Sequence, residues 1–266
     1  MLVMSTDSES LEALRKTFAE HEAHRTRWQI ADAPPAGSEL ARADAVWPRL
    51  PYTEHVRQTL TAAWDHFDLV RLTIDAGCTF PTGLNGVLRG GLVASAMALW
   101  LVGPEDSKTR DERGLALSDE WYVRRIRYQR DLLKLTQGDR LAGTEQLKLL
   151  ESDRASANQL RTKATKVQAT AIIDWAARHR YGDGTPQQKQ ALLEWQRLGG
   201  DAHALGWQLL LQDVSWGTGT GGPIKARVTA SLSNVVAPYL CAWYMYLRAL
   251  HRFDELWATP APTHSQ

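Results

Sequence analysis

Asp65, His66 and Asp68 place an imidazole among carboxylates within four residues. Histidine titrates near neutrality and a carboxylate neighbour raises its basicity, so this cluster is the chain's best candidate for general acid–base chemistry. On a helix, adjacent side chains point about 100° apart, so Asp65 does not orient His66 directly. An ion pair between Asp68 and Arg71, three residues on, is the competing reading. Arg89 lies in the most apolar stretch of the chain. A guanidinium there must meet a carboxylate, an anion or solvent. The expectation is that Arg89 pairs with Asp65 or Asp68, with His66 nearby. Any ligand site is expected at this polar inclusion, closed by Ser215 and the glycine run that follows it.

In that run, Gly217, Gly219 and Gly222 match the spacing GxGxxG. A dinucleotide fold also needs a strand before it, a parallel strand after it, and an acid about 20 residues on. Cys241 and Ala242 occupy the place of the acid, and Pro223 occupies the place of a phosphate-loop lysine. What remains is the ability of backbone N–H groups at a helix start to hold an anion. Trp216, Gly217 and Gly219 are therefore ligand-binding candidates, with Asp68, Trp100 and Arg113. No cofactor is implied.

Metal chemistry finds little support. His21 and His24 stand at i, i+3 beside Glu20 and Glu22. Their polar surroundings predict a solvated helix face, and two convergent ligands do not make a zinc site. Residues 121–134 interleave Arg124, Arg125, Arg127, Arg130 and Lys134 with Trp121, Tyr122 and Tyr128. Arginine with aromatics is a nucleic-acid pattern. Across residues 107–140, however, nine basic residues meet six acidic ones. A salt-bridged helix face explains them, and nucleic acid is not the favoured partner. Trp100, Trp175, Trp195, Trp207 and Trp243 fall in apolar helical patterns, where core packing is their default use.

The elements that carry these residues read as helices. Strict alternation over five or more residues is missing, while apolar steps of three and four recur. A first helix starts near Ser8 or Ser10 and runs to Trp28. Residues 31–51 hold five prolines or glycines and predict an irregular proline-rich arm. Val56, Leu60, Ala63, Phe67, Val70 and Ile74 mark a second helix, ended by Gly77. The third, residues 82–102, is apolar on most sides. Its strip Gly86, Gly90, Ala94, Ala98 invites a closely packed neighbour. Further helices are expected over residues 107–136, from 144 toward 179 with a break near 152–158, and from Pro186 to Gly199-Gly200. A short one is expected over 202–214, and a long last one from Pro223. Residues 258–266 read as a flexible tail. The fold class expected is all-α, a single-domain bundle of about six to eight helices.

The chain has 266 residues, of which 44% are hydrophobic, so a substantial core can form. Its net charge of +1 gives no global pull toward nucleic acid or anionic membrane. The apolar run 92–102 is far shorter than the roughly 20 residues that span a bilayer, so no membrane is expected. Two distant cysteines, Cys78 and Cys241, and a first ten residues without a signal-peptide pattern predict a reduced, cytoplasmic protein. The excess of arginine (23) over lysine (8) points to a GC-rich bacterial source.

The segment from Asp65-His66 through Arg89, Trp100-Leu101, Pro104, Arg110 and Arg113 resembles a family of uncharacterised, all-helical actinobacterial proteins. Their pattern is an Asp-His helix, an Arg-led apolar helix ending Trp-Leu-x-x-Pro, and a helix with paired arginines. This chain has Val93 where those proteins often have Glu, and no histidine follows Val214-Ser215-Trp216. The resemblance implies an all-α fold and no particular activity. Arg15/His21, Arg49/His55 and Arg197/His203 also match the Arg–His spacing of the helical nucleotide-binding ribonuclease domains. A chain this rich in arginine produces such pairs by chance. The sequence therefore favours a non-catalytic helical binding or regulatory protein in a bacterial defence or stress setting, with a protein partner or a small ligand. The alternative is a cryptic enzyme, a ribonuclease or a small-molecule enzyme, with its site between the second and third helices and the glycine run.

Overall fold

In the computed structural model the described residues are 7–24, 32–78, 80–135, 140–202, 214–217, 225–228 and 232–261. The fold is helical. Among the described residues there are nine helices and one two-stranded ribbon. They group into two compact units, each assembled from segments distant in sequence. Unit 1 comprises residues 1–31, 59–99 and 172–250; unit 2 comprises 32–58, 100–171 and 251–266.

Unit 1 is built from α1 (Asp7–Ala23), most of α3 (Tyr52–Asp75), α4 (Pro81–Val102), α7 (Ala169–Tyr181) and α9 (Ser233–Ala258), and α8 (Pro186–Ala202). The apolar stripe of α3 is buried from Val56 to Ile74, as its periodicity predicts. Phe67 is its centre in this unit. Its ring meets Tyr239, Trp243 and Tyr246 of α9 edge-on, with centroids 5.2, 5.3 and 5.7 Å apart. Such contacts align ring edges with ring faces and add to the area they bury. Thr17 of α1 donates to the Tyr239 hydroxyl at 3.1 Å.

Helix α4 is largely buried, and the strip of small residues works at its middle. A Cβ on Gly90 would lie 2.3 Å from Nε2 of His66, and one on Gly91 3.5 Å from Phe67. Side chains of α3 thus rest on bare backbone of α4. By length and composition α4 could cross a bilayer, but 67% of its most apolar window is buried inside the protein.

Helix α8 opens as expected, with Thr185 Oγ1 accepting from Gln188 N–H at 3.2 Å ahead of Pro186. Gly199 and Gly200, expected to end it, lie within its last turn. Pro238 falls inside α9 and cannot donate to the carbonyl four residues back. Arg197 of α8 donates to that carbonyl, Asn234 O, at 2.8 Å, so the missing helix bond is replaced from a neighbouring helix.

Two expectations fail after α8. Strands β1 (Val214–Gly217) and β2 (Lys225–Val228) pair antiparallel where no strand was expected, and the last helix starts at Ser233, not Pro223. Four-residue strands are too short to show alternation. Most of the helix expected over 202–214 lies outside the described residues, as do residues 218–224 of the glycine run.

Unit 2 is organised by α5 (Ser107–Leu135), about 43 Å long at 1.5 Å per residue, and α6 (Arg140–Gln159). They form an antiparallel hairpin. Tyr122, Ile126 and Ala157 make its buried core, with Trp47, Leu50, Leu147 and Leu150 packed against it. The expected break near 152–158 falls later, at residues 160–168. There Glu112, itself buried, accepts from Thr162 N–H at 2.7 Å and from the Thr162 hydroxyl.

Prolines do not exclude a helix from residues 31–51. Helix α2 (Glu39–Val46) fits between Pro35 and Pro48, capped by Ser38 Oγ, which accepts from Ala41 N–H at 3.1 Å. It is tied to α5 by Arg42, which donates twice to Asp111 at 2.9 Å, and by Glu39, bound to buried Arg110 at 2.6 Å. The expected tail begins pinned. Glu39 N–H donates to Thr259 O at 2.9 Å and Ala261 N–H to Gly37 O at 2.8 Å.

Candidate functional site

The acid–base cluster of unit 1 is dispersed by its own helix geometry. Asp65 is exposed. His66 is half-buried, with its ring laid on Gly90. Burial lowers its pKa, and the charge of Asp65 pulls it part of the way back. Asp68 accepts from Nε and Nη2 of Arg71 at 2.9 and 2.7 Å. The expected pair between Arg89 and Asp65 or Asp68 is not formed. Asp68 is already held by Arg71 on its own helix, and Asp65 faces water. The guanidinium of Arg89 instead lies over the Trp195 ring of α8, 4.1 Å from its centre. Ser215, Trp216 and Gly217 form β1, paired with Arg227, Ala226 and Lys225. Their side chains, and Gly219 altogether, lie outside the described residues.

In unit 2, Trp100 and Arg113 come together. The Arg113 guanidinium stands 4.9 Å from the Trp100 ring centre and donates to the Trp100 carbonyl. Desolvation lowers the Arg113 pKa to about 10. A buried backbone acceptor and an aromatic face together account for this arginine structurally.

His21 corrects the expectation of a solvated face. It is fully buried and stacks on Trp64 of α3, with centroids 4.7 Å apart and planes 7° apart. Trp64 Nε1 donates to His21 O and His21 Nε2 donates to Trp64 O, both at 3.2 Å. Burial lowers its pKa, so it is a neutral core residue that joins α1 to α3. His24 lies against Trp243 and Tyr246. Leu14, Thr17, Phe18 and His21 share one helix face, and that spacing was the signal for His21. Among the described residues no three His, Cys, Asp or Glu side chains gather closely enough to hold a metal.

A serine–histidine pair also escaped the sequence reading. His55 Nε2 and Ser118 Oγ are 2.7 Å apart. Nucleophilic catalysis would need Ser118 to give its proton to His55. Gly114 O, 3.1 Å from Ser118 Oγ, competes with His55 for the hydroxyl proton. Burial holds the His55 pKa down at about 4. The void beside the pair has about 10 Å³, room for no substrate larger than a water.

A concave feature lies on the α5–α6 hairpin. This groove of about 460 Å³ has Val123 and Ile126 in its wall and Arg127, Arg130, Lys134 and Arg154 around it, opposed by Asp131 and Glu151. Arg130 pairs with Glu151 at 2.6 Å, Lys134 with Asp131 at 2.8 Å and Arg154 with Asp119 at 2.7 Å. The first two pairs are exposed to solvent and exchange readily. Outside the groove, Tyr128 is 58%, Leu135 83% and Leu141 75% exposed. Arg125 lies over the Tyr128 ring, 5.5 Å from its centre. The geometry offers an amphipathic surface and, among the described residues, no convergent set of reacting groups. No family model, curated protein or solved structure matches the chain.

Proposed function

We propose that this chain is a non-catalytic helical binding protein that docks a protein partner on the α5–α6 hairpin. The observation that carries the reading is the outward face of α5. Tyr128, Leu132 and Leu135 follow one another at steps of four and three, with Tyr128 and Leu135 in solvent. An isolated exposed leucine is ordinary, but here exposed leucine shares a stripe with a tyrosine and an arginine, residue types enriched in protein-binding hot spots. A partner helix with an apolar stripe complements this face. The groove lies on the other flank of α5 and carries an excess of two positive charges, four basic side chains against two acidic ones.

The cellular setting is part of the same proposal. An arginine-rich composition supports a bacterial source, and two free cysteines support a reducing cytoplasm. Burial pushes the Cys241 thiol up to about 12, which makes it unreactive.

The test is photo-crosslinking in the source cell, with benzoylphenylalanine at Tyr128, at Leu135 and at exposed Lys108 as control. Discrete adducts from the first two positions and none from the third are expected. Equal labelling at all three, or adducts from Lys108 alone, would overturn the reading.

A further inference from the structure

Helix α5 carries two seams, and α6 covers one of them. Tyr122, Ile126, Gln129 and Leu133 stand at steps of four, three and four. Tyr122 and Ile126 share a core with Leu147 and Leu150, and a Cβ on Gly143 of α6 would lie 2.7 Å from Leu133 Cδ2 and 3.3 Å from Gln129 Nε2. The second seam starts one residue earlier. Trp121, Arg125, Tyr128, Leu132 and Leu135 stand at steps of four, three, four and three. This alternation averages about 3.5 residues, the period of a coiled-coil contact. Trp121 closes the inner end against the His55 ring, with centroids 4.5 Å apart. Beyond it Arg125, Tyr128 and Leu135 are exposed.

The charges along this seam identify what fits it. At about 100° per residue, Arg124 and Asp131 fall on its flank turned away from α6. They stand seven residues apart and carry opposite signs. Their partners are neighbours on α5, Glu120 at 2.7 Å from Arg124 and Lys134 at 2.8 Å from Asp131. Arg124, Asp131 and Lys134 are exposed, so these pairs exchange readily. A second α5 laid antiparallel presents the same two charges in reverse order. Arg124 then faces Asp131 of the second copy and Asp131 faces its Arg124, so a two-fold axis makes the contact twice. The same alignment lays Arg125 on Tyr128 of the second copy, a contact the two residues already make within the chain at 5.5 Å. A parallel alignment in register would instead set Arg125 against Arg125 at a core position, like charge on like.

We propose that the partner docked on the hairpin is a second copy of this chain, bound by antiparallel, two-fold pairing of α5 with α5. The inference rests on the hairpin reading and gives the docking face its occupant. Self-complementary charge is what a two-fold contact requires, because the same patch must serve both sides. The seam from Trp121 to Leu135 is only two heptads, about 21 Å long, so the dimer forms reversibly with concentration.

The experiment is sedimentation velocity of the purified chain over a range of concentrations, with circular dichroism to confirm that each variant is folded. The unaltered chain should pass from monomer to dimer as concentration rises. Arg124→Glu alone, or Asp131→Arg alone, sets like charges together twice and should weaken the dimer about tenfold. Mixing these two variants should restore it, because each supplies the charge that the other now lacks. Arg127→Gln, on the groove side of α5, should leave dimerisation unchanged. A chain that stays monomeric at every concentration overturns the proposal. So does a dimer that both charge variants leave intact, or a mixture of the two that recovers nothing. If the chain is monomeric while Tyr128 and Leu135 crosslink to a different protein, the hairpin reading survives and this inference alone falls. If those positions also fail to crosslink selectively, both fall.

Discussion

Two glycines show how single residues set close approach in this molecule. On Gly114 a Cβ would lie 2.7 Å from Cδ2 of Tyr52. Tyr52 is buried, and its hydroxyl donates to Leu101 O at 2.7 Å, so the ring has little room to move. Gly114→Ala should cost about 1–3 kcal/mol through overpacking, against about 1 kcal/mol recovered in helix propensity. Gly86 is the opposite case. It is helical and its Cβ position is empty, so Gly86→Ala should stabilise by up to about 1 kcal/mol. Urea denaturation of both variants checks the pair. A Gly114→Ala protein as stable as Gly86→Ala would show that Tyr52 gives way freely. Neither effect is legible in the sequence, where both glycines stand in helical patterns and their partners lie on other elements. His21 was hidden for the same reason. Its neighbours Glu20 and Glu22 describe the exposed side of α1, while the buried side is defined by Trp64, 43 residues away.

At the scale of elements, legibility followed length. The stripe of α3 extends over about five turns, and α4 is apolar on most sides, so both were readable and both are buried. Helix α2 has eight residues and depends on its cap and on Arg42 and Glu39 meeting α5, contacts with no local signature. Strands β1 and β2, with four residues each, are defined only by each other. Ser38 is therefore a sensitive point. Its side chain caps α2, and its backbone pairs with Pro260. Ser38→Ala removes the cap alone and should cost about 1 kcal/mol. Hydrogen exchange should then quicken at Ala41, whose N–H the cap holds, and at Arg42, whose N–H bonds to Ser38 O, before any change in α5. Unaltered exchange there would mean that the ion pairs to α5 hold α2 without its cap. The site reading was limited in a related way. The sequence placed Asp68, Arg71 and Arg89 on the right helices, but which acid took which arginine was decided by i, i+3 geometry within α3 and by Trp195 from α8.

At the scale of the whole molecule the buried histidines set the response to acid. Burial lowers the pKa of His21, His55 and His66, and that of His55 reaches about 4 from an ordinary value of 6.5. Between these two values the unfolded chain binds a proton at residue 55 that the folded chain refuses. Stability therefore rises with pH through that window and falls as the solution is acidified. For His55 the slope approaches about 1.4 kcal/mol per pH unit, and the full depression corresponds to about 3 kcal/mol by pH 4. His21 and His66 act in the same direction. Hydrogen bonds lower the pKa of Glu112 and Asp119 against the opposing effect of burial, and these carboxylates begin to lose their contributions below about pH 5, where the unfolded chain takes up protons. Unfolding free energy should thus decline from pH 7 to pH 4, through the histidines first and with the carboxylates adding to the decline below about pH 5. His55→Gln keeps a donor near Ser118 and removes the titration, so its decline should be shallower by up to one proton's worth. Urea unfolding of both proteins across this range provides the measurement. A slope unchanged by the substitution would show that His55 takes up its proton without leaving the fold.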